Sequence, residues 1–367
     1  MFSPLHLRLI GARLGLPLSR DSESALIERF GSAEQKSNLE LYKADRCASD
    51  PEEWCKHVSN FLETFGLSRL NLRDGDGSSF ARLYSHAPRK VADERKVSVL
   101  MAAYNSAETI GWAVRSVLQQ SWNNLEVFVV DDASTDSTWS QINEIAQQDS
   151  RLTVVRNSTN VGPFVSRNRV LSLVTGDFIT GHDADDWAHP QRIERQIGLI
   201  DASPGSVGIP NMMLRVNQAL RFRHLGSDRK RLVDRPFSLH PVSSLIRADA
   251  FIQQLGHWDS VRFSGDGELI KRAQRVFGSR ILTSTLVGNL ALDRPESIMG
   301  HAVHGRAKGK RALSPTRVSY RRSYSHWHQS IDVKNGYMPF PLSERKFEAP
   351  LVMQVELAAV QKLLSDA

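Results

Sequence analysis

From Lys96 onward, short unbroken apolar runs alternate with longer stretches of helical period. Val97 to Ala103, Glu126 to Val130, Leu152 to Val155 and Asp177 to Thr180 are the runs. Runs of this length fit strands buried on both faces of a parallel sheet. Between them lie Ser106 to Gln119, with Ile110, Val114, Val117 and Leu118 on one side, then Ser134 to about Gln148, then Gly162 to Val174. Each reads as a helix. The alternation predicts right-handed βαβ units and an α/β sheet. Ligands of such sheets bind beyond the carboxyl ends of the strands. The polar residues Tyr104-Asn105, Asp131-Asp132, Asp183 and Asp185 collect there.

Either side of this region the pattern changes. Within residues 1–90, Ser22 to Phe30 and Pro51 to Phe65 are helical. Trp54, Val58, Phe61, Leu62 and Phe65 form one stripe, Asp50-Pro51 is the start signal and Gly66 the stop. Met1 to Leu18 reads as a short amphipathic helix, because Arg8 and Arg13 interrupt it. After residue 201, Val207 to Arg215, Val242 to Ile246 and Ile281 to Ala291 read as strands. Gln191 to Ile200, Arg247 to Leu255, Glu268 to Phe277 and Ser343 to Asp366 read as helices. The expected divisions are a helical N-terminal domain at 1–90, a catalytic-type domain at 96–300 split near 201, and a basic, helical extension at 301–367.

Composition narrows the classes. The 367 residues are 41% hydrophobic and 24% charged, as in soluble globular proteins, with a net charge of +7 that favours anionic partners. Arg306 to Arg322 holds seven cations and no acid, interleaved with Tyr320 and followed by Tyr324, His326, Trp327 and His328. This stretch fits an acceptor or membrane-surface contact, or a solvated face; nucleic acid is not expected. Two cysteines, Cys47 and Cys55, are too few for a disulfide scaffold or a four-ligand zinc site. No stretch approaches the ~20 apolar residues of a membrane helix. No Gly-x-Gly-x-x-Gly or Gly-x-x-x-x-Gly-Lys motif is present, which argues against dinucleotide dehydrogenases and P-loop NTPases.

The densest chemistry lies in Thr180 to Pro190. Asp183, Asp185 and Asp186 fall within four positions. Carboxylates this close repel unless a cation is shared. Hard oxygen ligands suit Mg²⁺ or Mn²⁺, which commonly also bind substrate phosphates. The alternative is an acidic turn capping the next helix.

Six motifs in order, Val97-Ser-Val-Leu-Met-Ala-Ala-Tyr-Asn105, Ser116-Val-Leu-Gln-Gln120, Val129-Val-Asp-Asp-Ala-Ser-Thr-Asp136, Asn160-Val-Gly162, Ser166-Arg-Asn168 and His182-Asp-Ala-Asp-Asp186, closely resemble family-2 glycosyltransferases of GT-A fold. The resemblance is strong over about 96–201 and weaker to about 295. It implies a GT-A-like, mostly parallel sheet flanked by helices. It further implies donor-nucleotide contacts at Ala103, Tyr104, Asn105, Asp131, Asp132, Asn160, Arg167, Asp183 and Ala184, with Asp183 and Asp185 on the metal. Packing, capping and a plain salt bridge are the alternatives for Tyr104, for the Asp131-Asp132 pair and for Arg167. The family's base position falls on Asp266 in Ser264-Gly-Asp-Gly-Glu-Leu269, where Gly265 replaces the usual Glu; Glu268 is the fallback. A late histidine, His301 or His304, is a further metal candidate.

The expected function is inverting, metal-dependent transfer from a nucleotide-diphosphate sugar, UDP-linked, to a bacterial surface glycan or glycolipid acceptor. The expected place is the cytoplasm, free or peripheral at the inner face of the plasma membrane. A non-catalytic sugar-nucleotide-binding subunit and a sugar-1-phosphate nucleotidyltransferase are the alternatives. Ala102-Ala-Tyr-Asn-Ser-Ala107 lacks the Gly-rich, basic loop of the latter.

Overall fold

A computed structural model describes residues 24–25, 27–29, 31–87, 89–223, 237–294 and 313–366. The expectations placed on Met1 to Leu18, His301, His304 and Arg306 to Arg311 lie outside these residues. The chain divides into two compact units, 1–88 with 214–238, and 89–213 with 239–367.

In the first unit, helices α1 (Ala33–Arg46) and α2 (Pro51–Glu63) pack together beside a two-stranded ribbon, β1 (Asn71–Leu72) and β2 (Leu83–Tyr84). Ser32 and Gln35 form a capping box at α1, and Asp50 accepts from the Glu53 amide to cap α2. Trp54, Val58, Phe61 and Leu62 are buried as the stripe predicts. Trp54 stacks on Phe222, which the sequence alone did not associate with this region. Cys47 and Cys55 are free thiols at the end of α1 and within α2.

The second unit carries β3 (Val97–Ala103), α3 (Ile110–Leu118), β4 (Leu125–Asp131), α4 (Thr138–Gln148), β5 (Leu152–Arg156), α5 (Pro163–Val170), β6 (Phe178–Asp183), β7 (Asp186–Ala188) and α6 (Arg192–Asp201). After them come β8 (Gly208–Val216), β9 (Ser238–Arg247), α7 (Gly265–Phe277), β10 (Val287–Leu292), α8 (Pro315–Gln329) and α9 (Leu357–Ser365). The eight-stranded sheet has the order β5-β4-β3-β6-β9-β8-β10-β7. Its first four strands are parallel, and β9 joins β6 antiparallel, so the parallel pattern read from the sequence accounts for half of a mixed sheet.

Alternate residues of each strand feed opposite cores. Val97, Val99, Met101, Val127 and Val129 pack under α3, α4 and α6. Leu100, Phe128, Val130 and Ile179 pack under α5, α7 and α8. The basic tail region is thus partly core: Tyr320 is fully buried and donates its hydroxyl to Asp259, which Arg345 also meets.

Two elements differ from the sequence reading. The terminal helix is α9 alone, because Pro350 interrupts helical bonding and residues 353–355 instead bond to Ser260 and Arg262. The last strand begins at Val287 rather than Ile281; Ile281 makes only an isolated bridge to Gly208.

One layer of charge is buried beneath α7. Glu268 and Arg272, one turn apart, form two hydrogen bonds of 2.9 and 3.1 Å, and His328 of α8 donates to Glu268 at 2.9 Å. Burial opposes ionisation of Glu268, but Arg272 and His328 outweigh it and hold its carboxyl below the ordinary 4.5. Removing one partner of such a pair costs about 3–5 kcal/mol. Arg272→Met should therefore lower the thermal midpoint clearly; an unchanged midpoint would contradict this account. In the parent, the contribution is complete above pH 4.5 and is lost as pH falls through the depressed folded value.

Candidate active site

The site forms where β3, β4 and β6 end side by side. Ala103 pairs with Asp131 across β3 and β4, and Ala102 with Asp183 across β3 and β6. Asn105 bonds the Ser134 hydroxyl through its amide and accepts from the Thr135 amide at 2.9 Å, tying the two strand-end loops together. Tyr104 beside it is 49% exposed, a free aromatic face at the rim. Three non-glycine residues with positive φ, Asn105, Ala133 and Ser264, all lie in loops of this region. Such strain costs on the order of 1–3 kcal/mol each and gathers at functional sites.

Adjacent aspartates have different surroundings. Asp132 is saturated by protein: it accepts from the Val161 amide at 2.9 Å, the Gly162 amide at 2.7 Å and Asn157 Nδ2 at 2.7 Å. It holds the loop entering α5, not the helix after β4. Asn160, in that loop, is held by Arg262 at 2.9 Å. Asp131 is fully buried, yet neither carboxylate oxygen accepts a hydrogen bond; Arg156 Nε lies 3.1 Å away without hydrogen-bond geometry.

The acidic loop is built on β6 and β7, joined by Ala184-Asp185. Thr109 of the α3 entry donates to the Ala184 carbonyl at 2.8 Å. The register Phe178 with Arg247 and Ile179 with Ile246 runs β9 back toward the loop. Gly181 permits this approach, since a Cβ there would lie 2.7 Å from the Val242 carbonyl. The strand delivers His240, whose Nε2 lies 2.8 Å from Asp186 and 3.6 Å from Asp183. Buried Arg167 of α5 reaches Asp183 at 2.7 Å, and Arg294 reaches Asp185 at 3.2 Å. Arg167 thus orients Asp183.

Charge balance follows from these contacts. For Asp183, burial opposes ionisation, but His240 and Arg167 hold its carboxyl well below the usual range. For Asp185, burial and the neighbouring Asp186 and Asp183 push it up, to about 7, against the pull of Arg294. Burial disfavours charge on His240, but the two aspartates raise it to about 9. His182 behind the loop is pushed down to about 3 by burial and by Arg192. It donates from Nε2 to the Asp186 carbonyl and accepts at Nδ1 from Asn289.

Among the described residues, Asp183, Asp186 and His240 bring two carboxylate oxygens and an imidazole nitrogen within 4.8 Å of one another. His240 Nδ1 donates to Ser243 Oγ at 2.6 Å, which turns Nε2 toward the carboxylates. This donor set fits a divalent cation such as Mn²⁺. The expected partner Asp185 is instead paired to Arg294. His240 had no readable signal: it lies 54 positions from Asp186 in a buried strand. Trp187 is buried in β7 and packs edge-on to His189.

Asp266 lies in the first turn of α7. Burial, then repulsion from Asp183, raises its carboxyl above the ordinary 3.8, against the Gly267 amide, Arg167 and Arg317. Arg317 anchors the turn before it by donating to Ser264 at 2.6 Å. Glu268 is elsewhere, in the buried Arg272–His328 layer.

Residues 98–243 match the model of Glycosyl transferase family 2. The match takes in β3 to β8 and the start of β9, and so includes the acidic loop and His240. Over 107 residues it is 39% identical to the putative glycosyltransferase EpsE of Bacillus subtilis (strain 168), covering 29% of this chain and 38% of that protein. It is 38% identical over 105 residues to the UDP-Glc:alpha-D-GlcNAc-diphosphoundecaprenol beta-1,3-glucosyltransferase WfaP of Escherichia coli, covering 29% of this chain and 41% of that one. The chain thus spans about two fifths of the length of these relatives. The solved structure of S. aureus TarS with UDP-GlcNAc aligns over 56% of this chain and 61% of that one, at 23% identity and TM-score 0.43. No described helix is long and apolar enough to cross a membrane.

The two adjacent aspartates should separate by stability. Each buried donor orphaned by Asp132→Ala costs about 1–3 kcal/mol, so denaturant unfolding should show a loss of several kcal/mol. Asp131→Asn orphans no hydrogen-bond donor and gives up only the ion pair to half-exposed Arg156, so it should cost at most about 1 kcal/mol. The reverse order would contradict the assignment.

Proposed function

We propose that the chain transfers a sugar, with inversion, from a nucleoside-diphosphate sugar to a hydroxyl of a bacterial surface glycan or glycolipid. The observation that carries this is the convergence of exposed Tyr104, unsatisfied Asp131 and Asp183 at three neighbouring strand ends, with Asp266 close enough to feel the charge of Asp183. The relative named as a UDP-Glc transferase to a diphosphoundecaprenol-linked acceptor supports a UDP donor and a lipid-linked acceptor. Tyr104 and Asp131 take the base and ribose. Ala103, Asn105, Asn160 and Ala184 contribute backbone and loop positions around them, and Asp132 shapes the loop.

Asp183, Asp186 and His240 would hold the divalent ion, Mn²⁺ or Mg²⁺. When bound, it supplies Lewis-acid stabilisation of the departing diphosphate. Asp185 with Arg294 lines the same loop. Asp266, rather than Glu268, takes the proton of the acceptor hydroxyl as its oxygen bonds the anomeric carbon and the sugar–phosphate bond breaks. A raised carboxyl pKa makes it a stronger base. The domain would act at the cytoplasmic face of the membrane, where nucleotide sugars are made available to lipid-linked acceptors.

Asp266→Asn should lower turnover by about 10²–10⁴-fold while UDP binding persists. In the parent enzyme, turnover should fall as pH drops through a value above 3.8, the ordinary aspartate value. Turnover unchanged in Asp266→Asn would remove the base assignment. Absence of both transfer and donor hydrolysis across a panel of nucleotide sugars, with nucleotide binding intact, would favour the non-catalytic reading.

A further inference from the structure

The face of α7 away from the acidic loop carries a second feature. Lys271 lies five positions after Asp266, about 140° around the helix and ~7.5 Å along it. Lys271 and Arg275 stand one turn apart on α7; Arg321 and Ser325 stand one turn apart on α8. Between the helices is an open groove of about 340 Å³, lined by these four with Tyr324 and His328. That volume is at the small end of ligand pockets. No carboxylate lines it. Arg275 is fixed in place, donating to the His328 carbonyl at 2.9 Å and the Gln329 carbonyl at 3.1 Å. His328 is committed on its other side to Glu268. Tyr324 is buried, and its hydroxyl stays neutral, its pKa pushed up to about 12 by burial. Three cations thus face hydroxyl donors across a groove whose walls are two packed helices.

We propose that this groove binds a phosphate group, borne either by a free diphosphate or by an anionic lipid headgroup. The chemistry argues for phosphate over a carboxylate. Three cations converge on a compact space; the Arg321 guanidinium offers forked donors that match phosphate oxygens, and Arg275, whose Nε and Nη2 serve the two carbonyls, adds its charge and remaining N–H groups. Hydroxyls of Tyr324 and Ser325 add neutral donors. His328 joins the groove to the buried Glu268–Arg272 layer, and no residue of the acidic loop lines the groove, so the two are distinct. The proposal does not depend on the glycosyl-transfer reading and fails or stands separately from it.

The test uses the full chain in EDTA, which removes divalent ions from the acidic loop. Inorganic diphosphate binding is measured by calorimetry, and vesicle binding by co-sedimentation with phosphatidylglycerol or phosphatidylcholine. Lys271→Glu with Arg321→Glu changes two exposed positions; Lys56→Glu with Lys362→Glu makes the same net-charge change elsewhere, and circular dichroism checks that both fold. The expected result is a loss of about tenfold or more in the first pair and little change in the second. Diphosphate binding without vesicle binding assigns a free phosphate; binding to phosphatidylglycerol alone assigns a headgroup. No binding to either probe, or equal loss in both pairs, overturns the proposal.

Discussion

Three carboxylates within four positions cannot share one loop unless positive charge is brought to them. The architecture of the second unit follows from meeting that demand. Helix α5 sends buried Arg167 to Asp183, strand β9 sends His240 between Asp183 and Asp186, and the chain after β10 sends Arg294 to Asp185. Each cation comes from a different element. The acidic loop is therefore held by tertiary structure rather than by its own turn, and His240 and Arg167 keep Asp183 ionised against burial. The raised proton affinity at His240 expresses this electrostatic demand.

Behind the charged groups runs a neutral supporting layer. Ser243 orients His240 and is itself met by Asn211, which bonds Asn289, which bonds His182, which supports the Asp186 carbonyl. Every member is buried, and a satisfied network of this kind fixes one arrangement. Asp132 performs a similar service for the loop entering α5. Exposed Tyr104 at the rim and the buried carboxylate of Asp131 beneath it are left with unused capacity.

The parallel half of the fold was legible because period and burial agree there. Val97 to Ala103 was predicted as a strand and is one, with its side chains alternating between two cores. Asp50-Pro51 was legible as a helix start because capping is local. The motifs of the acidic loop and strand ends were likewise local. His240, Arg294 and Arg317 were not legible, since their roles arise from antiparallel pairing of β9, the end of β10 and the docking of α8. Spacing carries no trace of such contacts. Glu268 illustrates the converse: it sits in a motif-like turn, but helical period turns it inward to Arg272. The extended path of residues 343–356 was missed because interactions with Ser260, Arg262 and Asp259 override local helix preference.

The central claim is that the acidic loop is a cation site completed by His240. Its most direct measurement is Mn²⁺ binding with UDP present, followed by electron paramagnetic resonance, in the parent chain, His240→Ala and Asp185→Asn. Loss of a supporting partner alone typically weakens metal affinity by ~10–100-fold. Loss of His240 should cost at least that, with Asp185→Asn affected less. Parent-like Mn²⁺ affinity in His240→Ala, alongside a collapse in Asp185→Asn, would contradict the account.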